Sequence, residues 1–118
     1  MKQSLLLFTA LSLTVYGRTF VGINKVLYVG AQDADLCVDK FVGVPYAQPP
    51  VGKLRLQPPQ PLKITTGTVD ASSPTSAKCY GIENYLLRAG SEDCLTLDIV
   101  RPTAKFDHLL PVYVFIHG

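Results

Sequence analysis

Apolar and polar positions alternate in short runs along most of this chain. Glycine and proline bound the runs, which marks strands and turns rather than long helices. Phe20-Val21-Gly22-Ile23 and Val26-Leu27-Tyr28-Val29 form a first strand-like stretch over 19–29. Turn-forming residues over 30–35 predict a break. The stretch 36–44 reads as the returning strand, with Leu36, Val38, Lys40 and Val42 alternating against Cys37, Asp39, Phe41 and Gly43. The two stretches predict an antiparallel hairpin. A short strand is expected over 67–71. Over 95–100, period-two alternation places Leu95, Leu97 and Ile99 on one face, and Arg101-Pro102 is expected to stop that strand. The apolar run Val112-Tyr113-Val114-Phe115-Ile116 predicts a last strand, covered on both faces.

The intervening segments are of three kinds. Residues 45–61 carry repeated prolines without a sustained period, which predicts an ordered extended loop, because proline fixes φ and cannot donate to a ladder. Residues 72–78 and 103–110 are polar connectors. Residues 80–89 predict a short helix around Tyr85-Leu86-Leu87-Arg88.

The N-terminus has a different pattern. Met1-Lys2-Gln3 is a short basic lead, the run from Leu5 to Val15 is apolar, and Val15-Tyr16-Gly17 offers a cleavage site after Gly17. Together these predict a secretory signal peptide over 1–17, with 18–118 as the mature chain. Arg18 ends the run short of the roughly 20 apolar residues a membrane span needs, so no transmembrane segment is expected.

Composition narrows the function classes. The chain has 118 residues, a formal charge of +2 and 47% hydrophobic residues. There is no basic excess to suggest nucleic acid and no acidic run to suggest disorder. Its three cysteines and two histidines lack metal-ligand spacing, so neither a metal nor another cofactor is expected. In a secreted chain, Cys37, Cys79 and Cys94 form one bridge and leave one thiol. Cys79–Cys94 closes the shortest loop, worth about 3 kcal/mol on the chain-entropy model. Cys37, inside a strand pattern, is expected to be a buried free thiol.

Three segments carry a family resemblance. Phe41-Val42-Gly43-Val44-Pro45-Tyr46-Ala47-Gln48-Pro49-Pro50-Val51-Gly52-Lys53-Leu54-Arg55-Leu56 resembles the F-x-G-I-P-Y-A-x-P-P-x-G-x-x-R-F segment of type-B carboxylesterases and lipases, the cholinesterase-like family. Ser91-Glu92-Asp93-Cys94-Leu95-Thr96-Leu97-Asp98-Ile99 is similar to their S-E-D-C-L-x-L-N-I signature, with Asp98 at the asparagine. Leu110-Pro111 and the apolar run through His117-Gly118 resemble the strand that enters their oxyanion loop. All three occur in family order.

The resemblance implies an α/β-hydrolase fold, of which this chain supplies the N-terminal portion only: an antiparallel hairpin and the first strands of the central sheet. It implies a parent enzyme that hydrolyses small-molecule or lipid carboxylic esters with a serine nucleophile. It also implies a Cys79–Cys94 disulfide, an Arg55–Glu92 structural salt bridge, and His117 and Gly118 as the lead-in to the oxyanion loop. On this fold the triad follows that loop, and the chain has no G-x-S-x-G elbow. The fragment is therefore expected to hold no catalytic residue and to be inactive, with His108 a solvated surface residue. The alternative parent is a non-catalytic, cholinesterase-like adhesion or binding protein. The chain has no tryptophan, which disfavours an acylcholine substrate, since the family's cation–π contact in the disulfide loop uses one. Tyr80, Ile82, Tyr85, Leu86 and Leu87 are candidates for an apolar lid face.

Overall fold

The structure, a computed structural model, describes residues 17–64, 66–73, 75–81 and 90–117. The expected signal peptide, apart from Gly17, the expected helix with most of the lid face, and Gly118 lie outside the described residues. Five strands form one sheet: β1 (Gly17–Ile23), β2 (Val26–Asp33), β3 (Val38–Pro45), β4 (Gly67–Asp70) and β5 (Thr96–Pro102). The path through the sheet is β1-β2-β3-β5, antiparallel throughout. β4 pairs in parallel with the first half of β2, Val26 to Val29, while β3 pairs with its end, Ala31 to Asp33.

The first strand-like stretch is two strands. Asn24 and Lys25 both take positive φ, at 48° and 66°, between the paired residues Ile23 and Val26. That is the two-residue hairpin turn whose twist matches its strands, and asparagine tolerates it. β1 and β2 therefore make the first hairpin, and β2 and β3 the second.

The break expected over 30–35 falls later, because β2 continues through Asp33. Gly30 is an interior strand residue with a packing role. A Cβ there would stand 2.5 Å from the Lys40 carbonyl oxygen and 2.8 Å from the Phe41 ring. The missing side chain is what lets Phe41, 3% exposed, lie across β2. The buried apolar residues among those described are Val26, Val29, Phe41, Ala47 and Ala71.

The turn into β3 corrects the expectation for Cys37. Its φ is 53° and its side chain is exposed. Its N–H donates to the Ala34 carbonyl at 3.4 Å, and its Sγ lies 3.5 Å from the same oxygen. The alternating pattern over 36–44 starts two residues before the strand does, at Leu36 rather than Val38. Cys37 closes the turn, and pairing with β2 begins at Val38.

β3 and β5 pair from Val38↔Pro102 to Pro45↔Thr96, with a bulge between Phe41 and Val44. Gly43 is the bulged residue, at φ 75°, and its N–H donates to Asp98 Oδ1 at 2.8 Å. β5 runs on through Arg101 and Pro102 rather than stopping before them. Pro102 ends a strand that pairs on one side only among the described residues, so its missing N–H disrupts no ladder.

The expected strand over 112–116 is not formed. These residues join no ladder among the described residues, and Val112, Tyr113 and Ile116 are more than 85% exposed. Apolar character and β propensity do not make a strand where no neighbour supplies hydrogen bonds.

Candidate functional site

The sheet brings the first two motif segments together. Phe41 pairs with Ile99 and Val44 with Leu97. The Tyr46 N–H donates to the Leu95 carbonyl at 3.1 Å, carrying the pairing past the end of β3. Asp98 grips the Gly43 bulge through Oδ1 and accepts a 3.3 Å hydrogen bond from Ser76 Oγ through Oδ2. One carboxylate thus ties the bulge to the 72–76 loop.

Beyond this frame, a short 3₁₀ turn, Gly52–Leu54, follows the prolines, and the Arg55 N–H caps it on the Gly52 carbonyl. The capped turn presents Arg55, whose Nε stands 2.7 Å from Glu92 Oε1. Their side chains are 66% and 35% exposed, so water screens the pair. Two residues after Glu92, Cys94 forms a disulfide with Cys79, their Cα atoms 5.1 Å apart. Cys79 also bridges to Ser91, whose N–H donates to the Lys78 carbonyl at 2.8 Å. The Tyr80 ring lies where a Cβ on Gly90 would stand, so glycine is needed there too. Residues 91–95 are therefore held by a covalent bond, an ion pair and main-chain hydrogen bonds.

A polar cluster that the sequence did not reveal pins the other end of the sheet. Asp39, on the same face of β3 as Phe41, is 4% exposed. Its Oδ2 accepts hydrogen bonds from Arg101 Nε and Nη2 at 3.1 and 3.0 Å and from Thr19 Oγ1 at 3.0 Å. Its Oδ1 accepts from Thr103 Oγ1 at 3.2 Å. The Arg101 guanidinium carbon stands 5.6 Å from the centre of the Phe41 ring, within cation–π reach. β1, β3 and β5 meet on this carboxylate. A polar residue in a strand whose other neighbours on that face are apolar is the one signal that could have marked it.

Two carboxylates, Asp33 and Asp70, titrate low. Lys40 Nζ, 2.7 Å away, and the Leu36 N–H hold the Asp33 carboxyl below its ordinary 3.8. The Ser72 hydroxyl, at 2.6 Å, and the Ser72 N–H do the same for Asp70.

None of these groups makes a reactive centre. His108 Nδ1 pairs with the adjacent Asp107 carboxylate at 2.7 Å, and both side chains are largely exposed. His117 is exposed. No group of three or more histidine, cysteine or acidic residues among the described residues is placed to hold a metal. A cleft of about 180 Å³ between Gln48, Pro50, Leu54, Pro58, Pro59 and Leu95 has no nucleophilic or titratable lining residue. It is smaller than the pockets that enclose small-molecule ligands. No helix among the described residues is long and apolar enough to cross a membrane.

The comparisons with known proteins match this frame. The sequence profile of the carboxylesterase family covers residues 26–118. The chain is 35% identical over 105 residues to venom carboxylesterase-6 of Apis mellifera, covering 85% of this chain and 19% of that protein. It is 36% identical over 102 residues to the secreted triacylglycerol lipase LIP1 of Gibberella zeae, covering 69% of this chain and 17% of that protein. Among solved structures, Aspergillus niger EstA superposes with a TM-score of 0.62 at 28% identity, over 73% of this chain and 16% of its own. The chain thus spans about a fifth of the length of these relatives, and its sheet is an N-terminal portion of the α/β-hydrolase fold. With the profile matched from β2 to the last residue, the chain belongs to the carboxylesterase family.

Proposed function

We propose that this chain is the N-terminal part, over 18–118, of a secreted carboxylic ester hydrolase whose full catalytic domain acts through a serine nucleophile and an acyl-enzyme on small-molecule or lipid esters. The interlocking of segments 41–56 and 91–99 carries this reading: the β3–β5 ladder, the Asp98 contact with the Gly43 bulge and the Arg55–Glu92 pair join the two family motifs, and the disulfide ties the second of them to Cys79. Arg55–Glu92 is in this reading a structural salt bridge. His117 and Gly118 lead into the oxyanion loop, whose backbone donors would stabilise the tetrahedral intermediate. Secretion is supported by the leader pattern over 1–17 and by relatives whose names place them in venom or call them secreted.

No residue of this chain serves as nucleophile, general base or triad acid, so the chain by itself turns over no ester. The test is to purify it and assay short-chain p-nitrophenyl esters beside a heat-inactivated control. Equal rates are expected, and turnover above the control overturns the assignment of roles. Reading the coding frame beyond Gly118 tests the parent activity. A serine in a Gly-x-Ser-x-Gly elbow supports a hydrolase, and another residue at that position makes the parent a binding protein.

A further inference from the structure

The loop that follows β4, Ser72-Ser73-Pro74-Thr75-Ser76, is dense in hydroxyls and interrupted by proline, the composition of O-glycosylated segments in secreted proteins. Its three serines are occupied. Ser72 Oγ donates to Asp70 Oδ1 at 2.6 Å. Ser73 Oγ donates to the Thr75 carbonyl at 2.9 Å and accepts from the Thr75 N–H at 3.4 Å. Ser76 Oγ donates to Asp98 at 3.3 Å. The backbone of Thr75 is thereby held by Ser73, and the loop is anchored at both ends to the sheet. The Thr75 side chain is exposed, and its hydroxyl engages no partner among the described residues.

We propose that Thr75 is an O-glycosylation site, its hydroxyl presented outward by a loop whose serines are spent on holding it in place. The modification needs accessible residues outside any ladder, which Ser73 and Thr75 are, and a hydroxyl whose transfer to a sugar breaks no internal hydrogen bond. Only Thr75 of the four meets the second condition. In the step, Thr75 Oγ1 forms a bond to the anomeric carbon of a nucleotide-activated N-acetylhexosamine. The anomeric carbon–oxygen bond to the diphosphate breaks, the nucleoside diphosphate leaves with that electron pair, and the hydroxyl proton passes to solvent. In the cell the site rests on the secretion proposed above, because the transferases act in the secretory pathway.

The test does not depend on export. The purified full chain is incubated with a detergent extract of Golgi membranes and UDP-N-acetylgalactosamine, with a mucin peptide as the positive control. The tryptic peptide 64–78 is then sequenced by electron-transfer fragmentation. One hexosamine on Thr75 is expected, lost in Thr75→Val and kept in Ser72→Ala. A bare peptide beside a modified control overturns the proposal, as does sugar on Thr65, Thr66, Thr68 or the serines with Thr75 unmodified. Whether intact cells release the chain into the medium is read separately and bears on secretion alone.

Discussion

Asp39 and Arg101 form a pair whose members are unequally buried, so the two single substitutions have unequal costs. The Asp39 side chain is 6% exposed and the Arg101 side chain 47%. Arg101→Met removes both guanidinium donors and leaves a buried carboxylate with only Thr19 and Thr103 to serve it. Breaking a buried pair so that a charge is orphaned costs about 3–5 kcal/mol. The two remaining hydroxyl donors and the half-exposed partner reduce this to about 2–4 kcal/mol. Asp39→Ala orphans a guanidinium that already meets water and keeps its contact with Phe41, and two threonine hydroxyls near the surface. Its cost is that of the lost charged hydrogen bonds, about 1–2 kcal/mol. Hydrogen exchange of the β3 and β5 amides in the full chain reads the difference directly, since both substitutions open the same ladder. At about 1.4 kcal/mol per decade, exchange accelerates by tens to several hundredfold in Arg101→Met and by roughly five- to thirtyfold in Asp39→Ala. The reasoning fails if Asp39→Ala is the more damaging change, or if neither alters protection.

Gly30→Ala drives a methyl against the Lys40 carbonyl and the Phe41 ring. A loss of about 1–3 kcal/mol follows, visible as faster exchange across β2 and β3, whereas Gly22→Ala, with open space around it, leaves exchange across β2 and β3 unchanged. Arg55→Gln removes an exposed ion pair and costs under about 1 kcal/mol; a larger shift in exchange at 91–95 would show a role that screening does not permit. Reducing the Cys79–Cys94 bridge removes about 3 kcal/mol of loop closure, and limited proteolysis then cuts between residues 79 and 94 where the oxidised chain resists. Asp33 and Asp70 titrate below 3.8, so their contribution is complete above that pH and is lost as pH falls through the lowered values. Acid unfolding followed by circular dichroism places this loss below about pH 4, and Asp33→Asn makes the acid transition shallower.

The readable parts of this fold were local and the unread parts were not. The motif segments could be matched because each lies in one stretch of sequence, and the position of most of β5 follows from period two alone. The two glycines that misled or escaped the reading act at a distance. Gly30 resembles a turn residue, and its reason is a ring eleven positions later in the chain. Gly43 fits an alternating strand until a bulge against β5 requires its positive φ. Asn24 was legible in principle, since asparagine at the first position of a two-residue turn is a hairpin signal, but the apolar residues on both sides masked it. Cys37 shows the opposite error, an alternation continued into a turn. The Asp39 cluster shows locally only a polar residue on an apolar strand face, because its donors come from residues 19, 101 and 103.

The same contrast separates what this chain fixes from what it leaves open. Among the described residues, ladder bonds, the Asp98 grip on Gly43 and the Arg55–Glu92 pair hold segments 41–56 and 91–99 together, and the disulfide fastens the second segment to Cys79. They differ in physical kind, so no single condition removes them all. Reductant spares the ladder, salt weakens only the exposed ion pair, and acid acts first on carboxylates. The apolar run at 112–116 has none of these devices among the described residues, although its composition is the most strand-like in the chain. A strand is a relation between neighbours. The frame around the disulfide carries its neighbours within these residues, and the exposed run does not.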